Sequence, residues 1–203
     1  KSFRPKDEDD GDSNSSGRNG ESDFHGKTRS NKTHESKTDA DARNYKKSTY
    51  SEAKLAYLGH SLIENRNGLV VNAQVSLANG YGERDTAIDM LAELPGEHRK
   101  TVAADKNYDT LEFVACCQGM NITAHVAQNI KRKGGSAIDG RTTRHAGYTL
   151  STRNRKRVEE PFGWGKTVGQ IRQVKVRGLA RVNAILQMTF IGWNLTRIRN
   201  LQA

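Results

Sequence analysis

Long apolar runs are missing from this chain. No stretch approaches the ~18 consecutive apolar residues of a membrane-spanning helix, and no secretory signal pattern is present. The only two cysteines, Cys116 and Cys117, are adjacent. Neighbouring cysteines are poorly placed for an intramolecular disulfide and lack zinc-finger spacing. They are expected to pack as small apolar residues in a helix, in a reducing cytoplasm. Aromatic residues make up 6% of the chain, too few for base stacking to dominate binding to a nucleic acid. Between residues 1 and 47 the hydrophobic residues are Phe3, Phe24, Ala40, Ala42 and Tyr45 alone. So little apolar surface cannot offset the entropy of ordering. That segment reads as a disordered or extended polar arm, and residues 48–203 as one domain.

Acids are scarce where cations are dense. From Lys131 to the end there are 16 Lys and Arg against Asp139, Glu159 and Glu160, a net of +13, while the whole chain carries +10. Such a surface favours a polyanionic partner. At its centre lies RNRKRVEEPFGWGK, residues 153–166, in which four cations among five residues are followed at once by two carboxylates.

The order of elements comes from periodicity and turn chemistry. Residues 54–64 and 69–78 are β-rich runs joined through Asn65-Arg66-Asn67-Gly68, a hairpin signal because Asn and Gly tolerate positive φ. Residues 85–94 have helical spacing at Ile88, Leu91 and Leu94. A short apolar run, 101–104, ends at Asp105. Residues 109–120 read as a helix whose Asp109 and Glu112 match a capping box, and 121–127 as a short strand. The chain closes on an amphipathic helix across 178–200, with Leu179, Val182, Leu186, Phe190 and Trp193 on one face. Hairpin, helix, strand, helix, strand, helix predicts an α/β domain with a mixed sheet covered by helices. His60 and His125 fall in strands and are expected to be packed or hydrogen-bonded rather than metal ligands.

Two carboxylates could support chemistry. Asp105 ends a buried-type strand, a frequent place for functional groups in α/β sheets; a turn-forming carboxylate is the plainer reading. At 100° per residue Arg155, Glu159 and Lys166 share one helix face. That face is either a solvated one with an Arg155–Glu159 salt bridge or a carboxylate held within a cationic wall. The second arrangement suits a Mg²⁺ ion, which takes one or two protein carboxylates and leaves room for phosphate oxygens. Pro161, two residues after Glu159, would kink a continuous helix.

Several separated motifs resemble the DDE transposases of bacterial insertion sequences, closest to the insertion-sequence-five type. They are Ala104-Asp105-Lys106-Asn107-Tyr108-Asp109, His125-Val126-Ala127-Gln128-Asn129, the stretch from Ser136 to His145, and that from Arg155 to Gly169. Phe24 to Asn31 and Glu64 to Val71 fit the same group. The resemblance implies a ribonuclease H-like fold in which three acids bind two Mg²⁺ (or Mn²⁺) ions, and double-stranded DNA as partner. Carried over by motif, Asp105 is similar to the second acid and Glu159 to the third, both catalytic and metal-binding. Arg155 and Lys166 match DNA-contacting positions of an Arg-x3-Glu-x6-Lys signature. The expected activity is strand cleavage followed by direct transfer of the freed 3′-hydroxyl to target DNA, by a bacterial protein that can act as a homodimer. Thr152 stands where that signature often has tyrosine. The first acid belongs on a strand expected upstream of Lys1, so the chain is expected to be a C-terminal part of a transposase, with two of three ligands and without its first strand. A catalytically inactive DNA-binding remnant is the alternative.

Overall fold

The computed structural model describes residues 3–6, 30–46, 48, 50–79 and 82–202. The Phe24 to Asn31 motif therefore lies mostly outside the described residues. Around it, β1 (Phe3–Pro5) pairs antiparallel with β2 (His34–Ser36), and the Phe3 ring stacks on His34.

The expected hairpin is present as β4 (Lys54–Ile63) and β5 (Val70–Leu77), paired antiparallel. Its turn is fixed by Glu64, whose carboxylate accepts the N–H groups of Arg66 at 2.8 Å and Asn67 at 2.5 Å. Gly68 supplies the positive φ, +75°, that a side chain would resist. A third strand, β3 (Arg43–Tyr45), pairs antiparallel with the beginning of β4, across the boundary drawn between arm and domain.

The second half of the sheet structure is parallel. Strand β6 (Lys100–Ala104) pairs with β7 (Ile122–Val126), and α2 (Leu111–Gly119) connects them. Helix α1 (Gly82–Ala92) packs on β4 and β5 and against α2. Among the described residues the strands form three separate ladders, β1-β2, β3-β4-β5 and β6-β7, where one mixed sheet was expected. The class is nonetheless mixed α/β. Its main core gathers Ala87 and Leu91 from α1, Phe113 and Cys117 from α2, and Ile122, Ala124 and Val126 from β7. Cys117 is fully buried there and both cysteines are free thiols.

Helix α6 (Leu179–Gln202) covers the hairpin with the stripe read from the sequence: Val182, Leu186, Phe190 and Trp193 are buried. The same helix satisfies the open edge of β5. Asn183 Oδ1 accepts the Val75 N–H at 2.9 Å, Gln187 donates to the Ala73 carbonyl, and Asn194 both accepts from and donates to Val70 at 2.8 Å. Buried main-chain groups without partners are costly, so a helix with amides beside its apolar stripe substitutes for a missing strand. At the head of α6, Asp39 and Asp41 accept the N–H groups of Gly178 and Leu179, placing negative charge where free helix N–H groups concentrate.

Between β7 and α6 run α3 (Gly140–Arg144), α4 (Ala146–Asn154), a 3-10 turn (Arg155–Val158) and α5 (Glu159–Thr167). The 3-10 turn resolves the Pro161 conflict. Because α5 begins at Glu159, Pro161 falls in its first turn, where the N–H it lacks has no helical partner to lose. Gly165 and Gly169 let this segment approach α6. A Cβ on Gly169 would stand 2.6 Å from the Thr189 methyl and 2.8 Å from the Gly165 carbonyl.

Candidate functional site

Asp105 follows the last residue of β6 in extended conformation, and one carboxylate oxygen accepts the Asn107 N–H at 2.8 Å. It thus caps the 3-10 turn Lys106–Tyr108, and the turn-former reading of Asp105 is correct as far as that oxygen goes. Its other oxygen takes no hydrogen bond among the described residues. Beside it, burial, with the charges of Glu83 and Asp105 adding to it, pushes the Tyr108 hydroxyl up to about 12.

Glu159 opens α5 and is exposed, as is Lys166; Arg155 is half-buried in the preceding 3-10 turn. The 100° alignment therefore crosses two elements, since a 3-10 turn advances three residues per turn. Glu159 and Lys166, seven apart within α5, keep a common face. No salt bridge joins Arg155 to Glu159: the ion pairs among the described residues are Lys37–Glu35, Lys54–Glu52 and Arg141–Asp139. Arg155 Nε is instead buried with no hydrogen-bond partner, as are Thr152 Oγ1 and Ser61 Oγ.

The cations of the central stretch divide by role. Arg157 donates to the carbonyls of Asn65 and Arg66, and Arg197 to that of Asn67, so both clamp the β4–β5 turn. Helix α4 packs on β6 and β7, and the following 3-10 turn on β4. Glu159 thus emerges from a turn braced on β4, while α4 before that turn reaches β6, whose last residue precedes Asp105. No hydrogen bond or ion pair links the two carboxylates. Among the described residues no group of three His, Cys, Asp or Glu side chains is placed to hold a metal ion. Taken singly, each is a hard oxygen donor of the kind a divalent cation takes, and neither is neutralised by an ion pair among the described residues.

Asp109 is not the helix cap that the sequence motif predicts. Thr110 takes that place, its hydroxyl accepting the Phe113 N–H at 3.2 Å. Asp109 is 1% exposed and accepts the N–H groups of Asn129 at 2.6 Å and Ala137 at 2.8 Å. Burial alone would raise its carboxyl. Hydrogen bonds from Asn129, Ser136 and Ala137, with the Arg132 charge, outweigh burial and hold it below the usual range. The partners lie 20 or more residues downstream, so no local signal announces them.

The histidines behave as expected. His60 Nε2 pairs with Ser76 Oγ at 2.7 Å and His125 Nδ1 with Ser151 Oγ at 2.8 Å, both rings buried. No helix among the described residues is long and apolar enough to cross a membrane.

A profile of the family described as "Transposase DDE domain" matches residues 26–195. No curated protein and no solved structure matches the chain. With more than three-quarters of its length inside that match, the chain belongs to the DDE transposase family, whose members cleave and transfer DNA strands.

Proposed function

We propose that this chain acts as the catalytic domain of an insertion-sequence transposase of the insertion-sequence-five type, ribonuclease H-like in fold. In this reading Asp105 and Glu159 are two of three acids that hold Mg²⁺ or Mn²⁺. One observation carries it: Glu159 stands exposed in the most cationic part of the chain and pairs with none of the cations around it. A salt-bridged helix face would have spent that carboxylate. A divalent cation bound there supplies Lewis-acid polarisation of the scissile phosphate and acidifies water. The chain's own contribution is positional. Asp105 and Glu159 fix the ligand oxygens from two separate elements, and Lys166 and the unpartnered Arg155 guanidinium hold backbone phosphates beside them.

The first acid of that set is assigned to none of the described residues. The β6 edge away from β7 has no ladder partner among the described residues, and Val102, Ala103 and Ala104 on it are only half-buried, which leaves room for a further element beside Asp105. A homodimer acting on DNA in the bacterial cytoplasm completes the reading. Its support is an exposed stripe of Met188, Ile191, Leu195 and Ile198 on α6, spaced +3, +4, +3 like a helix-pairing seam.

The second reading, a DNA-binding remnant without catalysis, is favoured by the lack of a three-ligand cluster among the described residues. Two assays decide. In cells, Glu159→Gln should abolish transposition while leaving duplex binding within a few-fold; undiminished transposition removes Glu159 from the site. In purified protein, duplex binding without Mg²⁺- or Mn²⁺-dependent cleavage favours the remnant.

A further inference from the structure

We infer that a basic groove beside Asp105, separate from Arg155 and Lys166, holds the phosphodiester backbone of the DNA on which this domain acts; the inference rests on the DNA-substrate reading above. Two adjoining hollows of about 350 and 360 Å³ share Arg84, Thr110 and Arg132 in their walls. Lys106 lines one and Lys133 the other. The four cations come from three places: Arg84 from α1, Lys106 from the turn after Asp105, and Arg132 and Lys133 from the loop after β7. Only the fold assembles them.

None of the four enters an ion pair among the described residues. The arginines are anchored instead by main-chain oxygens. Arg84 donates from Nη1 to the Asn107 carbonyl at 3.4 Å, and Arg132 from Nη1 to the Asp109 carbonyl at 2.7 Å. Each guanidinium is thereby positioned through one nitrogen, with its remaining donors free for a phosphate, the geometry in which arginine excels. Glu83, Glu112 and Asp109 also line the hollows, so the cations outnumber the carboxylates four to three. The Asp109 charge is buried, with both oxygens turned to main-chain N–H groups.

The loop is built to lie open. Gly134 and Gly135 take φ of +94° and +76°, and a Cβ on either would meet nothing within 4 Å. Glycine is required there by the backbone course and not by crowding. Asp105 caps the turn that bears Lys106, so a strand lying in the groove passes directly beside the candidate ligand. A small anion offers the same chemistry as a strand phosphate, and the experiment separates the two.

The test is anisotropy of a duplex of about 30 base pairs over a series of salt concentrations. Lys106→Gln with Lys133→Gln removes two charges whose side chains make no hydrogen bond among the described residues, so folding is not at stake. Arg84→Gln with Arg132→Gln is the second variant, with its melting temperature measured because Arg132 also braces the Asp109 loop. The slope of log affinity against log salt should fall in magnitude by about 0.9 for each phosphate that is no longer neutralised, hence by nearly two for either pair. Arg141→Gln, outside the groove and paired with Asp139, should leave it unchanged. Unchanged slopes in both double variants, with wild-type binding intact, overturn the groove and leave the DNA reading standing. Displacement of the duplex by low-millimolar inorganic phosphate at constant ionic strength assigns the groove to a small anion and also overturns it. Failure of the wild-type chain to bind duplex defeats the DNA reading itself.

Discussion

The Asp109 carboxylate accepts the Asn129 N–H at 2.6 Å, tying the end of the turn after β6 to the loop that leaves β7. With the Ala137 N–H on its other oxygen, it closes both ends of a loop containing Arg132, Lys133, Gly134 and Gly135. One buried side chain therefore shapes a segment it does not belong to.

Asp109→Asn keeps the shape but turns an amide toward one of two N–H donors. Loss of a charge-assisted hydrogen bond, with a buried donor left unmet, should cost about 2 kcal/mol of stability. The denaturant midpoint should fall with little change in m-value, and protease cutting within 130–136 should accelerate. An unaltered midpoint would mean that the loop is held by something else.

This residue also marks the limit of sequence reading. The motif Asp109-x-x-Glu112 satisfies a capping rule, yet the hydroxyl next door does the capping. The local pattern could not reveal acceptor demand from 20 residues downstream. Features that depend on neighbours in sequence are legible there: the 65–68 turn, the positions of β6 and β7 and the α6 stripe all follow from turn chemistry or periodicity, whereas the parallel pairing of β6 with β7 does not. Pro161 shows a middle case. The conflict with a continuous helix was visible, but its resolution by a 3-10 turn before Glu159 was not. Arg84 and Arg132 were illegible as a pair, being 48 residues apart and alike to any other surface arginine.

Mild acid should destabilise the fold through two histidines. Burial lowers the pKa of His60 below its ordinary 6.5. Burial, with the charges of His145 and Arg99, lowers that of His125. The unfolded chain then binds more protons than the native state as pH falls below about 6.5, so this stability is complete above that pH and lost beneath it. Asp109, held below the ordinary carboxyl value of 3.8, protects the fold above that pH and weakens it only in stronger acid. Melting temperature should drop between pH 7.5 and 5.5, and His125→Gln should flatten the profile. A profile equally steep in that variant removes His125 as a cause.

Asn194 is the last of the amides that cover the β5 edge, and both of its bonds go to Val70. Its neighbour Trp193 donates from Nε1 to the Gly68 carbonyl at 3.0 Å, so α6 and the hairpin turn are locked at one point. Asn194→Ala strips partners from a main-chain N–H and carbonyl at once. The expected loss is about 2 kcal/mol, within the usual range for an unmet buried polar group. Asn200→Ala serves as the contrast, because Asn200 is exposed and bonds only to the neighbouring Arg199; it should change stability by no more than about 0.5 kcal/mol. Hydrogen exchange sharpens the test. The Val70 amide should lose protection in Asn194→Ala before the amides central to β4 do, since α6 is the only partner of that edge among the described residues. Uniform loss of protection across β4 and β5 would show instead that the amide contributes to global stability without sealing the edge.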